Sequence, residues 1–261
     1  MTILDKIVDH KKTEVAKAKE EVSLEQLYEY PLFPRACYSL KDSMLDQNKT
    51  GIIAEYKRAS PSKGIINDKS SVPEVVTAYE LAGASAVSVL TDNAFFSGTL
   101  ADLSEAREAL TIPLLRKEFI IDKYQIAEAK AYGADIILLI AACLYPDEIK
   151  EFSAYAKSLG LNVLLEVHNE EELNRSIFDD IDAIGVNNRN LNDFSVSLAH
   201  SYDLVNKIPA QFLKVSESGI SDPKTILQLK EAGFNGFLIG ENFMKTDNPG
   251  KSIQEFVSEL G

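Results

Sequence analysis

From Gly51 onward, short apolar runs alternate with longer segments of helical period. Eight runs read as strands: "IIAEYK" from Ile52, "AVSVL" from Ala86, "PLLRK" from Pro113, "DIILLI" from Asp135, "NVLLEV" from Asn162, "AIGVN" from Ala183, "FLKVSE" from Phe212 and "GFLIG" from Gly236. Between them lie helical stretches such as "SVPEVVTAYELAG", "DKYQIAEAKAYG", "PDEIKEFSAYAKSLG" and "DPKTILQLKEAG", each closed by a glycine suited to a helix C-terminus. The alternation predicts βα units and a parallel sheet. Eight units point to a TIM (β/α)8 barrel. A doubly wound open sheet gives the same alternation, so the count supports closure without proving it.

Residues 1–50 stand outside the repeat, and no linker or low-complexity tract interrupts the chain beyond them. The expected organisation is one domain over residues 1–261, with a helical extension at 1–50 packed on a barrel core at 51–261. In "MTILDKIVDHKKTEVAKAKE", Ile3, Ile7, Val15 and Ala16 fall near one helical stripe, with Asp5, Lys6, Lys11, Lys12 and Glu14 off it. "PLFPRACYSL" from Pro31 reads as a turn within the extension.

The ends of the runs change the picture. "GIIAEYKRASPSKG" starts as a core strand, then places Glu55 and Lys57 two residues apart, on one face of the strand. If that face is the interior of a closed sheet, the two charges persist only as a matched pair or because they have work to do. A plain salt bridge at a strand end is the simpler alternative. The other run ends carry Thr91 and Asp92, Lys117, Glu166, Asn187 and Arg189, Glu217 and Ser218, and Gly240 with Glu241. Seven strands thus bring polar groups to the rim where barrels keep their active sites, and the fourth, "LLIAAC", supplies an apolar wall.

Composition narrows the partners. A net charge of -13 argues against nucleic acid, which needs clustered Lys and Arg, but allows an anionic small molecule in a locally basic cleft. The two cysteines, Cys37 and Cys143, show no metal spacing and fit a reduced, cytoplasmic protein. The charged N-terminus lacks the apolar core of a signal peptide, and "IILLIAACLY" from Ile136 is too short to span a bilayer, so no membrane segment is expected. His10, His168 and His200 are scattered, and neither a metal nor another cofactor is expected.

Two lysines and several carboxylates at one barrel mouth have the makings of acid/base catalysis with shifted pKa values. No nucleophile sits beside a histidine, which disfavours Ser/His hydrolysis, whereas a Schiff base on Lys117 stays open. "SESGI" from Ser216 and "GFLIGENFM" from Gly236 come after the last two strands, the usual phosphate site of barrels, and favour a phosphorylated substrate.

The segments "AEYKRASPSKG", "VSVLTDNAFFSG", "LLRKEFI", "LLEVHNEEEL", "GVNNRNL" and "SESGI", in that order, resemble indole-3-glycerol phosphate synthase over nearly the whole chain. That family, in tryptophan biosynthesis, closes the ring of a carboxyphenylamino-deoxyribulose 5-phosphate with loss of CO2 and water. The resemblance implies Lys117 as general acid at the substrate ketone and Glu166 as the group assisting loss of the hydroxyl. Lys57, held by Glu55, would contact the substrate carboxylate or share the proton transfers, and the division of steps between the lysines stays open. Asn187 and Arg189 would orient the anthranilate part, Glu217 and Ser218 the hydroxyls, and Phe96 would lie against the aromatic ring. Ser60, Gly219, Gly240 and Glu241 would hold the phosphate through backbone groups. Such an enzyme is expected as a monomer or weak oligomer. Two positions depart from the family pattern, Glu118 and Asn190, where it commonly has Asp. Rival readings are a phosphoribosylanthranilate isomerase, which uses a Cys and Asp pair, and a barrel that only binds a phosphorylated ligand.

Overall fold

The computed structural model describes residues 2–190 and 194–260. Its centre is a closed barrel of eight parallel strands: β1 (Ile52–Tyr56), β2 (Ala86–Leu90), β3 (Leu114–Lys117), β4 (Ile136–Ile140), β5 (Asn162–Val167), β6 (Ala183–Asn187), β7 (Leu213–Glu217) and β8 (Gly236–Ile239). Each strand pairs with its neighbours in sequence, and β8 closes on β1 through Ile52↔Phe237 and Ala54↔Ile239. Closure settles the choice that alternation leaves open. The fold is a TIM barrel, and every run read as a strand forms one.

Strand parity divides the core into two layers. Ile53, Leu115, Leu138, Leu164, Val215 and Leu238 pack with one another inside the barrel. Ile52, Ala54, Val87, Val89, Leu114 and Ile137 face outward under the helices. The helical stretches end as expected, with Gly83, Gly133, Gly160 and Gly233 all at positive φ, where a Cβ would be strained. A short antiparallel ribbon, Ala59–Ser60 with Gly64–Ile65, succeeds β1 and carries no sequence period long enough to read.

The extension forms three helices, α1 (Ile3–Glu21), α2 (Leu24–Tyr28) and α3 (Leu40–Leu45), and two of them close opposite ends of the barrel. α3 plugs the N-terminal end: Leu40 and Met44 join the interior cluster, the Leu40 amide donates to Asn162 Oδ1 at 3.2 Å, and Ser43 Oγ donates to the Ser85 carbonyl. Each such buried apolar side chain contributes roughly 1.5–3 kcal/mol. α1 begins with a capping box, in which Thr2 and Asp5 satisfy each other's amides, and lies across the C-terminal mouth.

The stripe on α1 differs from the expected one. Ile7, Lys11 and Val15 are its buried residues, while Ala16 is exposed. Lys11, one turn beyond Ile7, is on the buried face because its ammonium meets Glu14 at 2.5 Å, Asp92 at 2.8 Å and Glu118 at 3.0 Å. Those carboxylates raise its pKa well above the usual lysine range against the opposing effect of burial. No helix among the described residues is long and apolar enough to cross a membrane.

Candidate active site

Inside the barrel the interior face of β1 runs from Ile53 to Glu55 and on to Lys57 just beyond the strand, so the parity that buries Ile53 aims both charges into the cavity. They do pair, with Lys57 Nζ 2.8 Å from Glu55 Oε1. Gly240, at the tip of β8, makes room for this carboxylate, since a Cβ there would collide with the Glu55 side chain. Gly185 does the same for Glu217. The glycines expected to let backbone approach a phosphate thus include one that first admits an acid.

The cavity has a volume of about 340 Å3, within the range of small-molecule sites. Glu55, Lys57, Ser60, Phe96, Lys117, Glu166, Asn187, Arg189, Glu217, Ser218, Gly219, Gly240 and Glu241 all line it, so the catalytic and binding residues implied by the resemblance come to one place. Leu138 and Ile140 of β4 form the expected apolar wall. Thr91 and Asp92 do not line the cavity. Both are buried beside it, Thr91 Oγ1 donating to Glu118 Oε2 at 2.9 Å and Asp92 capping the helix Asn93–Phe96 through the Phe95 amide.

Lys117 is the centre of the polar network. Its Nζ is 2.5 Å from Glu217 Oε2 and 3.4 Å from Glu166 Oε2. Burial would lower its pKa, but the charges of Glu217, Glu166 and Glu55 outweigh that and hold the ammonium well above the ordinary lysine value. The two carboxylates are driven apart. Burial, with Glu166 and Glu55 nearby, pushes Glu217 up to about 7 despite the pull of Lys117. Burial also opposes ionisation of Glu166, but Lys117, His168 and the Asn187 amide together lower its pKa. Asn187 Nδ2 donates to Glu166 Oε1 at 3.1 Å, and Asn187 Oδ1 in turn accepts from Ser218 Oγ and the Arg189 amide, each at 3.0 Å.

One end of the cavity is built for close backbone approach. Ser218 and Gly219 lie in succession at φ 68 and φ 80, and Ser60 and Glu241 line the same cavity. The Glu241 carboxylate sits 3.7 Å from Arg189 and 3.9 Å from Lys63. On the apolar side, Phe96 and Phe119 have ring centroids 6.0 Å apart.

Several lining groups go beyond those the sequence picks out. Phe119 is the residue after Glu118 and reads as ordinary strand-end hydrophobicity. Ile3, Leu4 and Ile7 reach the cavity from α1, so the extension supplies part of its wall. The Ile7 to Lys11 spacing of one helical turn is the available signal. Glu118 itself accepts from the Phe119 amide and pairs with Lys11, which places its extra methylene in the link between α1 and the rim. Asn190 bonds through its backbone to Ser195, whereas Leu191 of "GVNNRNL" lies outside the described residues. Among the described residues no cluster of three or more His, Cys, Asp or Glu side chains is arranged to hold a metal ion.

The profile of the indole-3-glycerol phosphate synthase family matches residues 4–256. An indole-3-glycerol phosphate synthase of Bacteroides thetaiotaomicron is 47% identical over 258 residues, covering 99% of this chain and 98% of its own. One of Polynucleobacter asymbioticus is 43% identical over 261 residues, covering 97% of this chain and 98% of its own. Among solved structures, a tryptophan synthase complex from Pyrococcus furiosus aligns with TM-score 0.61 at 19% identity, covering 80% of this chain and 97% of that one, a likeness of fold alone. The chain belongs to the indole-3-glycerol phosphate synthase family, carboxy-lyases of tryptophan biosynthesis.

Proposed function

We infer that this cavity takes 1-(2-carboxyphenylamino)-1-deoxyribulose 5-phosphate and closes its ring to indole-3-glycerol phosphate, releasing CO2 and water. The observation that carries the residue assignment is the charged Lys117 between Glu166 and Glu217 at the mouth of the barrel. A lysine that forms a Schiff base must first be neutral, and such lysines sit in apolar or cationic surroundings that lower their pKa. Lys117 has the opposite environment. It is equipped to donate a proton instead.

In the proposed sequence Lys117 donates to the ketone oxygen as the ring carbon bearing the carboxylate attacks the carbonyl carbon. The C–CO2 bond then breaks, and its electron pair restores the aromatic ring. Glu166, ionised and turned by Asn187, takes a proton from the ring CH2 beside the nitrogen and passes it to the departing hydroxyl, which leaves as water, and Lys117 regains its proton from solvent, the one proton the overall reaction consumes. Lys57, set by Glu55, holds the substrate carboxylate, and Arg189 and Asn187 orient the anthranilate part. Glu217 and Ser218 face the hydroxyls, Phe96 the ring, and Ser60, Gly219, Gly240 and Glu241 the phosphate. Removal from water by the barrel walls strengthens each of these contacts.

The proposed working unit is one domain, residues 1–261, with residues 1–50 as its extension, acting in the cytoplasm as a monomer or weak oligomer without nucleic acid, membrane or cofactor. The unpaired Cys37 and Cys143 and the net charge of -13 support this setting. The chain has no tryptophan, which gives a direct test. Substrate added to the purified protein, whose own emission comes from tyrosine, should produce growing indole emission while the anthranilate-type emission of the substrate declines, with CO2 released in step. An isomerase would release no CO2, and a binding protein would give only a stoichiometric change. Folded protein that yields neither indole nor CO2 overturns the reading.

A further inference from the structure

His168 lies just past β5, two residues beyond Glu166 and close to the start of the helix Glu170–Ser176. It belongs to no step proposed above, and it does not line the reaction cavity. It faces a separate cleft beside Glu166, lined among others by Asp5, Arg189, His200, Asp203 and Lys207. Its two ring nitrogens are treated differently. Nδ1 lies 3.2 Å from Glu172 Oε2, which also accepts the His168 amide at 2.8 Å, so this carboxylate fixes both ring and backbone. Nε2 is buried, makes no hydrogen bond within the protein, and points to Glu166 Oε1 at 3.5 Å.

A half-buried imidazole between two carboxylates is best matched when both nitrogens carry protons, because each then faces an acceptor. Burial works against that charge, but the Glu172 hydrogen bond and the charges of Glu166, Glu172 and Glu217 outweigh it and raise the pKa above the ordinary histidine value. Glu172 is lowered in turn: burial opposes this, and the His168 ring and amide bonds prevail. The other titratable groups near the pair are Cys143, from the turn after β4, Arg175 beside Glu172, Glu217 at the end of β7, and the Asp5, Glu170, His200, Asp203, Lys207 and Arg189 side chains of the cleft.

Together with Asn187, which donates to the same oxygen, His168 leaves Glu166 with its Oε1 occupied and its Oε2 turned to Lys117. We propose that His168 is a positioning residue for Glu166: an imidazolium anchored by Glu172 that keeps the carboxylate ionised and presents Oε2 to Lys117 and the substrate. The inference rests on the role given to Glu166 above.

The protein has three histidines, His10, His168 and His200, so ring resonances can be assigned by single replacement and titrated by NMR. His168 should titrate above the ordinary histidine range, and Glu172→Gln should bring it down. His168→Gln should raise the pKa of Glu166 by about one unit, the scale of removing one neighbouring charge. The Glu166 carboxyl 13C signal reports that pKa and is identified by its loss in Glu166→Gln. On the acid side of the kcat profile, the shift lowers turnover about tenfold at fixed pH, with KM within about twofold. A purely structural histidine would alter thermal stability and leave the Glu166 titration in place. That result, or a His168 that titrates at or below the ordinary value, overturns the proposal. Should Glu166→Gln itself keep wild-type turnover, the assignment of Glu166 fails instead, and the two failures are distinguishable.

Discussion

Lys11 Nζ on α1 lies 2.8 Å from Asp92 Oδ2 at the tip of β2, an ion pair that ties the N-terminal extension to the rim of the barrel. The same ammonium reaches Glu118, next to Lys117 in sequence, at 3.0 Å. One side chain therefore holds α1, which carries Ile3, Leu4 and Ile7 into the cavity wall, against the short helix that ends in Phe96 and the turn after β3 that carries Phe119.

Lys11→Met keeps most of the volume of the stem, strands Asp92 as a buried charge without its cation and leaves Glu118 with Arg116 alone, 3.7 Å away. Breaking a buried pair from one side costs about 3–5 kcal/mol. A fall of that size in unfolding free energy is expected at pH 7 by denaturant titration. The sign with pH comes from the raised pKa: the Lys11 contribution is complete below the ordinary lysine value near 10.4 and is lost only as pH rises through its still higher value in the folded chain. The difference between wild type and Lys11→Met should therefore be flat between about pH 7 and 9. An unchanged midpoint would show that α1 is held by its other contacts, its apolar face, the Lys19–Asp122 pair and the Tyr124 hydroxyl on the Ala18 carbonyl.

Lys11 also shows where the sequence can be read and where it cannot. The barrel is legible because period-two parity and the spacing of eight runs are local signals, and Glu55 and Lys57 can be put on one strand face from parity alone. Lys11 reads as solvated because a charge on a surface helix usually is. The three carboxylates that bury it come from α1, the tip of β2 and the turn after β3, a meeting only the closed barrel creates. His168 is hidden for a different reason: its partners Glu166 and Glu172 are close in sequence, but ring orientation rather than spacing matches them to it. The Ala59–Ser60 ribbon is hidden because two residues carry no period.

The Glu55 and Lys57 pair is resolved as a contact, with 2.8 Å between charges, and its purpose is open to measurement. A salt bridge at a partly wet rim is worth only about 1 kcal/mol. Lys57→Ala is expected to change stability by about that amount while lowering kcat/KM on the order of a hundredfold, the scale of losing a charged contact to the reacting part of a substrate. Calorimetry and steady-state kinetics on the same preparation read both numbers. Lost stability with normal kinetics would reduce the pair to a strut.

Lys117 is the sharper case because its partners make two chemistries distinguishable. Lys117→Met removes the ammonium between Glu166 and Glu217, and turnover should fall on the order of a hundredfold or more, as for loss of a general acid. Stability should not collapse, because one of the carboxylates left behind has a route to neutrality: Glu217, already pushed up to about 7, can hold a proton at neutral pH. The variant should thus fold, and its far-UV spectrum and melting transition check that independently of activity. A folded Lys117→Met with near wild-type turnover would remove this residue from the reaction. The wild-type protein supplies the second arm. A general acid leaves nothing to trap, so borohydride added during turnover should yield no substrate adduct on Lys117 by mass spectrometry. An adduct at that lysine would mean that a neutral amine attacks the ketone despite three carboxylates holding it charged, and the proton-donor assignment would give way to covalent catalysis.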